Sequence, residues 1–332
     1  MSYDAQTIGT TQLDTFVNAI PGIYSAKDEL RSLWDVWLHA NHHAASIGEE
    51  VRKAAAGGEL LTEIADFSMW LFTAVQKLHG NIGVKKSSHE SDPESLVRIR
   101  LGYSDLLWNK YPSMCPVCYW RRTSGDRTGE SNPELRNECD CLLHDVERRD
   151  QSQKRRHVKA LRAFADEHRH EKPTGVDAWQ QMFARIFAAN LRHLTLTDIA
   201  FHLLEEMGEV SDAIVRMYTY RDEDFVDGGP DWQRIWLEEE LADVSSWMFA
   251  LVEKLDLMRQ TAVEYDKWRF GEAVVFREEK MRLSQIIWRR YGSDKLRSLY
   301  CPHCRKQVCN CAIVLVPMNR SVEELVRKVK DR

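Results

Sequence analysis

The sequence predicts an all-α protein made of two tandem copies of one helical unit. Hydrophobic residues recur at helical spacing along most of the chain, and any strands are expected only near the cysteines. The segments 65–78 and 242–255 are identical at eight of fourteen positions, where chance would give about one. Later motifs repeat in the same order: Trp-x-x-Tyr, then Cys-x-x-Cys, then Cys-x-Cys. We therefore expect two helical bundles, each followed by a small four-cysteine element.

The length of 332 residues is enough for two domains, which we place at residues 1–147 and 148–332. The join falls in a charged stretch between about residues 142 and 175 that ends in Pro-Thr-Gly, as exposed connectors often do. The hydrophobic share of 43% and net charge of -5 are those of a soluble protein without a global attraction to nucleic acid or membranes. The start lacks the basic and apolar blocks of a signal peptide, so a cytoplasmic location is predicted.

One predicted helix of the second half carries acids where a core is expected. At about 100° per residue, the apolar residues Leu203, Met207 and Val210 share one face. Glu206 lies inside this face and Glu209 lies at its edge. A helical glutamate is usually solvated, but an acid inside an apolar face is rarely buried without a partner.

The following helix repeats this arrangement, with Glu240 inside its apolar face and Asp243 at the edge. Two like charges about 4 Å apart repel by about 4 kcal/mol at an effective dielectric of about 20, so four converging carboxylates require a cation. No lysine or arginine shares the apolar face of either helix. Oxygen ligands of this kind favour a hard divalent ion, and the sequence therefore predicts a Mg²⁺ or Mn²⁺ site.

The runs 202–214 and 238–244 resemble the E-x-x-E and E-x-x-D signature of the MazG-like, all-α nucleotide pyrophosphohydrolases. The resemblance covers most of residues 190–312 and, more weakly, residues 35–141. It implies tandem MazG-like bundles whose acids bind Mg²⁺, and a nucleoside triphosphate substrate, NTP or dNTP. Water would attack the α-phosphorus and leave a monophosphate and pyrophosphate, and we assign the orientation of this water to Glu206. The residues carried over as catalytic metal ligands are Glu206, Glu209, Glu240 and Asp243.

Two features depart from the family pattern. Thirty residues separate Glu209 from Glu240, and this stretch could be a lid, a base reader or a plain surface insertion. In the first half, Ile47 stands where the second half has Glu206, so this copy is predicted to be impaired or inactive. It could instead serve as the structural half of an internal pseudo-dimer. An alignment through Glu49 could partly restore the acids of the first half. A homo-oligomer is also compatible with the family pattern. The acids kept in this degenerate copy are Glu50, Glu63 and Asp66.

The cysteines supply four thiolates in each half, the number that a closed tetrahedral zinc site takes. A reducing compartment makes disulfides poor candidates, and the βαβ pattern of thioredoxin-like motifs is missing. We predict structural Zn²⁺ as a second cofactor, with redox pairs and unliganded thiols as alternatives and His144 or His303 as substitute ligands. The predicted zinc ligands are Cys115, Cys118, Cys139 and Cys141 in the first half and Cys301, Cys304, Cys309 and Cys311 in the second.

Two other functions compete with catalysis. The acids could bind metal and nucleotide without turnover in a non-catalytic sensor or interaction protein, while the first half docks a partner. The basic runs 155–156 and 289–290 could make the cysteine elements a nucleic-acid module, but they are short and mixed with acids, so this partner is not expected. Trp232, Trp236 and Trp247 could stack a base, although tryptophans at helical spacing more often belong to a core.

Overall fold

Among the described residues of the computed structural model, helices make up nearly all regular structure, so the all-α prediction is confirmed. The structure describes residues 4–28, 31–53, 58–80, 97–123, 139, 151–219, 229–270, 280–293, 298–309 and 311. The first half contains α1 (Ala5–Thr10), α2 (Leu13–Ala19), α3 (Pro21–Asp28), α4 (Leu33–Arg52), α5 (Gly58–His79), α6 (Tyr103–Lys110) and α7 (Pro116–Thr123). The second contains α8 (Gln151–Glu167), a 3-10 turn (Arg169–Glu171), α9 (Val176–Ile186), α10 (Ala188–His193), α11 (Leu196–Thr219), α12 (Gly229–Phe270) and α13 (Leu283–Tyr291).

Strand structure among the described residues is one short hairpin beside the second set of cysteines. β1 (Gly292–Ser293) pairs antiparallel with β2 (Ser298–Leu299), directly before Cys301. This placement agrees with the expectation that strands would lie near the cysteines. None of the described helices is both long enough and apolar enough to cross a membrane.

Helices α4 and α11 begin at the same kind of N-terminal cap. At the start of α4, the Ser32 hydroxyl accepts the Asp35 backbone N–H and the Asp35 carboxylate accepts the Ser32 N–H, both at 3.0 Å. At the start of α11, Thr195 and Asp198 exchange the same two bonds at 3.1 and 2.8 Å. Such a box satisfies helix N–H groups that have no intrahelical acceptor. The same local signal thus starts the equivalent helix in both halves.

A central bundle of four long helices holds the core. α4 packs on α5 in the first half, α11 packs on α12 in the second, and α4 packs on α11 between the halves. The Trp37 indole N–H of α4 donates to Ser211 of α11 at 2.8 Å. The Ser68 hydroxyl of α5 donates to the Met248 sulfur of α12 at 3.1 Å. One continuous hydrophobic core therefore runs through both halves.

The short helices α2 and α9 have equivalent roles. Asp14 of α2 accepts hydrogen bonds from the hydroxyl of Ser104 and, at 2.9 Å, from its backbone N–H, near the start of α6. Asp177 of α9 accepts the Ser284 hydroxyl at 2.6 Å, near the start of α13, and the Arg282 guanidinium at 2.7 Å. Asp14 therefore anchors α6 and Asp177 anchors α13, each within its own half.

Each half also packs against the central helices of the other. α6 of the first half contacts α12, and α13 of the second half contacts α5. Gln12 and Gly175, which immediately precede α2 and α9, form an antiparallel bridge with each other. Pairing between equivalent residues is what a twofold relation between two copies produces. The contacts between the two halves are thus reciprocal, as a twofold relation would require.

We expect Trp108→Phe to lower the free energy of unfolding by about 2–3 kcal/mol, because it removes a buried hydrogen bond and leaves a cavity. Trp108 of α6 is fully buried and donates its indole N–H to the Ala165 carbonyl of α8 at 2.7 Å, across the two halves. Urea denaturation measures the change. Leu38→Ala, at a side chain that is 57% exposed, is the control and should stay within about 0.5 kcal/mol. Equal effects of the two substitutions would mean that α6 adds little to the joint core.

Candidate active site and metal centres

Three of the predicted acids converge between α11 and α12. Glu206 of α11 and Glu240 and Asp243 of α12 each place a carboxylate oxygen within 4.8 Å of the other two. The two helices pack together and bury the apolar faces that the spacing predicted. The buried residues of these faces are Leu203, Met207, Val210, Ala213, Ile214, Leu237, Leu241, Val244, Met248 and Leu251.

Glu209 lies on the solvent side of this group. It is exposed, and it is not one of the three residues whose oxygens lie mutually within 4.8 Å. Its carboxyl group nevertheless comes within hydrogen-bonding reach of Glu240 and acts electrostatically on Glu206. We call these four residues the acid cluster: Glu206, Glu209, Glu240 and Asp243.

The three consecutive glutamates of α12 have different surroundings. Arg162 of α8 pairs with Glu238 at 3.1 Å and with Glu239 at 3.0 Å. Glu238 also accepts the backbone N–H of Arg100 at 3.0 Å. Glu238 and Glu239 therefore share one guanidinium in contacts that hold the fold together, whereas Glu240 belongs to the acid cluster.

Two tryptophans orient the glutamates of the cluster that lie deepest. The Trp236 indole N–H donates to Glu240, and the Trp247 indole N–H donates to Glu206 at 3.3 Å. An indole carries no net charge, so these bonds orient the carboxylates without neutralising them. His202 stacks on the Trp247 ring with centroids 4.5 Å apart, so one face of this ring is already covered.

The first half supplies a cation to the acid cluster. Lys110, the last residue of α6, donates from Nζ to Asp243 and, at 3.2 Å, to the Glu239 carbonyl. The Tyr111 hydroxyl donates to the other oxygen of Asp243 at 2.5 Å. Spacing within α11 and α12 could not show this lysine, because it lies 133 residues before its partner. The repeated Trp-x-x-Tyr motif, which carries Lys110, was the available signal.

The acid cluster holds more negative charge than Lys110 balances. Burial, followed by the charge of Asp243, raises the pKa of Glu206. Burial also raises the pKa of Glu240, against the opposing effect of Lys110. Burial opposes the charge of Lys110 itself, but the surrounding carboxylates outweigh burial and raise its pKa. A further cation would stabilise the ionised form of these carboxyl groups.

The equivalent region of the first half assembles no such group among the residues that the structure describes. Ile47 is fully buried where the second half has Glu206. Glu49 is exposed and pairs with Lys53 at 2.9 Å, so an alignment through Glu49 adds no acid at this place. Glu50 is buried and also pairs with Lys53, at 3.2 Å.

The remaining acids of the first half have protein partners. Glu63 is bonded to His43 Nδ1 at 2.7 Å. Arg290 donates from two guanidinium nitrogens to the two oxygens of Asp66 at 2.9 and 2.8 Å, and the Tyr291 hydroxyl donates to Asp66 at 2.6 Å. Both donors lie at the end of α13, in the second half. The exchange is reciprocal, since each half binds the aspartate of the other.

The cysteines gather into two groups that could hold a metal ion such as zinc. In the second half, all four sulfurs lie within 4.8 Å of one another, and the exposed His303 is not part of the group. In the first half, three sulfurs form such a group, while Cys141 and His144 lie outside the described residues. The second cysteine knuckle consists of Cys301, Cys304, Cys309 and Cys311, and the first of Cys115, Cys118 and Cys139.

Each cysteine knuckle docks on the opposite half. The backbone N–H of Cys309 donates to the Ile23 carbonyl of α3 at 2.7 Å. The backbone N–H of Cys139 donates to the Ile186 carbonyl, at the end of α9, also at 2.7 Å. The two knuckles therefore add to the reciprocal contacts between the halves, beside the ion pairs of Lys110 with Asp243 and of Arg290 with Asp66.

Known proteins offer no assignment for this arrangement. No protein-family model, no curated protein and no solved structure matches the chain. The chemistry is therefore inferred from the acid cluster, the ion pairs around it and the cysteine knuckles.

Proposed function

We propose that the second half is a Mg²⁺-dependent nucleoside triphosphate pyrophosphohydrolase of the MazG-like kind, which converts an NTP or dNTP to a monophosphate and pyrophosphate. The observation that carries the proposal is the convergence of Glu206, Glu240 and Asp243 from two adjacent helices. Phosphoryl chemistry asks a protein mainly to hold charge and to position the reacting oxygen, which side chains on packed helices do well.

The donor set suits a hard divalent ion. Glu206, Glu240 and Asp243 offer only carboxylate oxygens, which Mg²⁺ and Mn²⁺ prefer, and Glu209 adds a fourth acid on the solvent side. A bound ion would neutralise charge on the phosphates of the substrate. Glu240 is more than nine-tenths buried, so an uncompensated charge there would be costly.

The chain's own residues divide the remaining work. Trp247 fixes one oxygen of Glu206, and the second oxygen of a carboxylate held in this way can orient a water molecule. Trp236 holds Glu240 in the same manner. Both indoles are rigid donors on α12, so the carboxylates are aimed before substrate binds.

We further propose that both cysteine knuckles hold structural Zn²⁺, with Cys141 as the fourth ligand in the first half. Four thiolates make a closed tetrahedral site with no position left for a substrate. Both groups lie where one half meets the other, which fits a stapling role.

A non-catalytic nucleotide sensor is the competing function, and the ion pair between Lys110 and Asp243 favours it. A lysine that pairs with one acid makes that acid less available to the divalent ion that hydrolysis requires. Detection of released pyrophosphate separates the two functions.

The decisive assay is a panel of canonical and modified NTPs and dNTPs with Mg²⁺, scored for both products. We expect at least one nucleotide to give equal amounts of monophosphate and pyrophosphate, with turnover lost in chelator and restored by Mg²⁺ or Mn²⁺. Release of orthophosphate instead would place the attack at the γ-phosphorus and contradict the proposal. Tight nucleotide binding without any product would support the sensor.

A further inference from the structure

Both oxygens of Asp243 are engaged by the first half of the chain. Lys110 Nζ donates to one oxygen and the Tyr111 hydroxyl donates to the other at 2.5 Å. The Lys110 side chain is only 14% exposed, and that of Asp243 only 16%. A divalent ion that takes Asp243 as a ligand must therefore share this carboxylate with an ammonium group or displace it.

The charges of the site make this competition substantial. The acid cluster itself contains no positive charge, and the indoles of Trp236 and Trp247 that bond to it are neutral. Lys110 thus supplies positive charge within the space where a divalent ion would bind. Charges a few ångströms apart and shielded from water interact strongly, so the ammonium weakens the attraction for a second cation.

The equivalent ion pair, between Arg290 and Asp66, holds its carboxylate at more points. Arg290 reaches both oxygens of Asp66 with two nitrogens, and Tyr291 adds a third bond. A planar guanidinium fits a carboxylate at two points, whereas a lysine ammonium is a single charge on a flexible stem. Asp66, in the half that carries Ile47, is thus bound at both oxygens by an arginine. Asp243, in the intact acid cluster, is instead bound by a lysine, which is released more easily.

We infer that Lys110 is a tethered cation that competes with the divalent ion for Asp243, so that the ion binds firmly only together with the triphosphate. This inference rests on the proposed function of the acid cluster. The phosphates of an arriving nucleotide add negative charge that offsets the ammonium. Lys110 acts through Asp243 and is a positioning residue contributed by the otherwise degenerate half.

The test measures Mn²⁺ binding to the full-length chain by electron paramagnetic resonance, with and without a non-hydrolysable α,β-imido nucleoside triphosphate. Without nucleotide, Lys110→Met should bind Mn²⁺ at least about tenfold more tightly than the wild type, because a competing charge is gone. With the nucleotide analogue, the difference should shrink to about threefold or less. Damage to the fold would lower the affinity, so a gain cannot arise from a purely structural role.

Two further variants keep the test decisive. Lys110→Arg retains the charge and should bind Mn²⁺ no more tightly than the wild type; a gain here would overturn the inference. Arg290→Met removes the equivalent cross-half ion pair at Asp66 and should leave Mn²⁺ affinity unchanged. Circular dichroism and the melting temperature establish that each variant is folded.

The outcomes separate this inference from the proposed function. Unchanged, weaker or undetectable Mn²⁺ binding by folded Lys110→Met would overturn the inference, whether or not the protein releases pyrophosphate. Tighter Mn²⁺ binding by Lys110→Met in a protein that releases no pyrophosphate from any nucleotide would uphold the tethered cation and refute the hydrolase.

Discussion

Glu206→Gln is expected to abolish pyrophosphate release, with a fall in kcat on the order of a thousandfold. Glu206 is the member of the close acid group that comes from α11, so the substitution removes the carboxylate that this helix contributes to the group. A neutral amide keeps the shape and the Trp247 contact but loses the charge that binds a cation. A coupled enzymatic assay for pyrophosphate measures the change.

Glu63→Gln is the matched control, because it makes the same substitution in the first half. Glu63 bonds His43 rather than a second acid, so activity should change by less than about threefold. Glu206→Gln should melt at the same or a higher temperature than the wild type, since it relieves repulsion among buried carboxylates. Equal loss of activity in the two variants would mean that the first half contributes a working site.

Stripping the metal from the cysteine knuckles should lower the melting temperature by on the order of 10 °C or more, since structural zinc contributes several kcal/mol of folding energy. Cys309 is buried, and its backbone N–H reaches the first half at Ile23. Loss of the ion would therefore loosen contacts between the halves as well as the knuckle itself. Elemental analysis should find two zinc ions per chain, and calorimetry with and without a strong chelator measures the shift.

The control for the knuckle lies in the same loop. Val308 is 57% exposed and is not one of the clustered cysteines, so Val308→Ser should leave zinc content and melting temperature unchanged. Cys309→Ser should instead lose about one zinc per chain and lower the melting temperature by less than the chelator does, because the chelator removes both ions. A chain that contains no zinc and melts at the same temperature with chelator would refute the structural role.

Local patterns were sufficient to predict the all-α class and the buried faces of α11 and α12. The spacing around Glu206 and Glu240 identified acids on apolar faces, and the burial of Met207 and Leu241 agrees with that spacing. The cysteine spacing predicted the grouping of the second knuckle, because its four cysteines lie within eleven consecutive residues. Each of these features depends on side chains close together in sequence, where helical geometry fixes their relative positions.

Contacts between distant segments could not be read in this way. Lys110 ends α6 and would count as a solvated lysine from its own surroundings, yet it binds Asp243 in the other half. No periodicity encodes which helix packs on which, and the repeat alone is compatible with two separate bundles. The exposure of Glu209 was likewise not predictable, because the edge of an apolar face can turn toward solvent or toward a neighbour.

The ion pairs by which each half binds the aspartate of the other also affect how such a molecule can evolve. In a symmetric pair of identical subunits, every substitution appears twice, so losing one acid would cost both centres. Joining the copies in one polypeptide removes that constraint: Ile47 alters one copy alone, while Lys110 from the same copy still reaches the intact cluster. The half in which Ile47 replaces one acid can specialise in tuning the half that has all four.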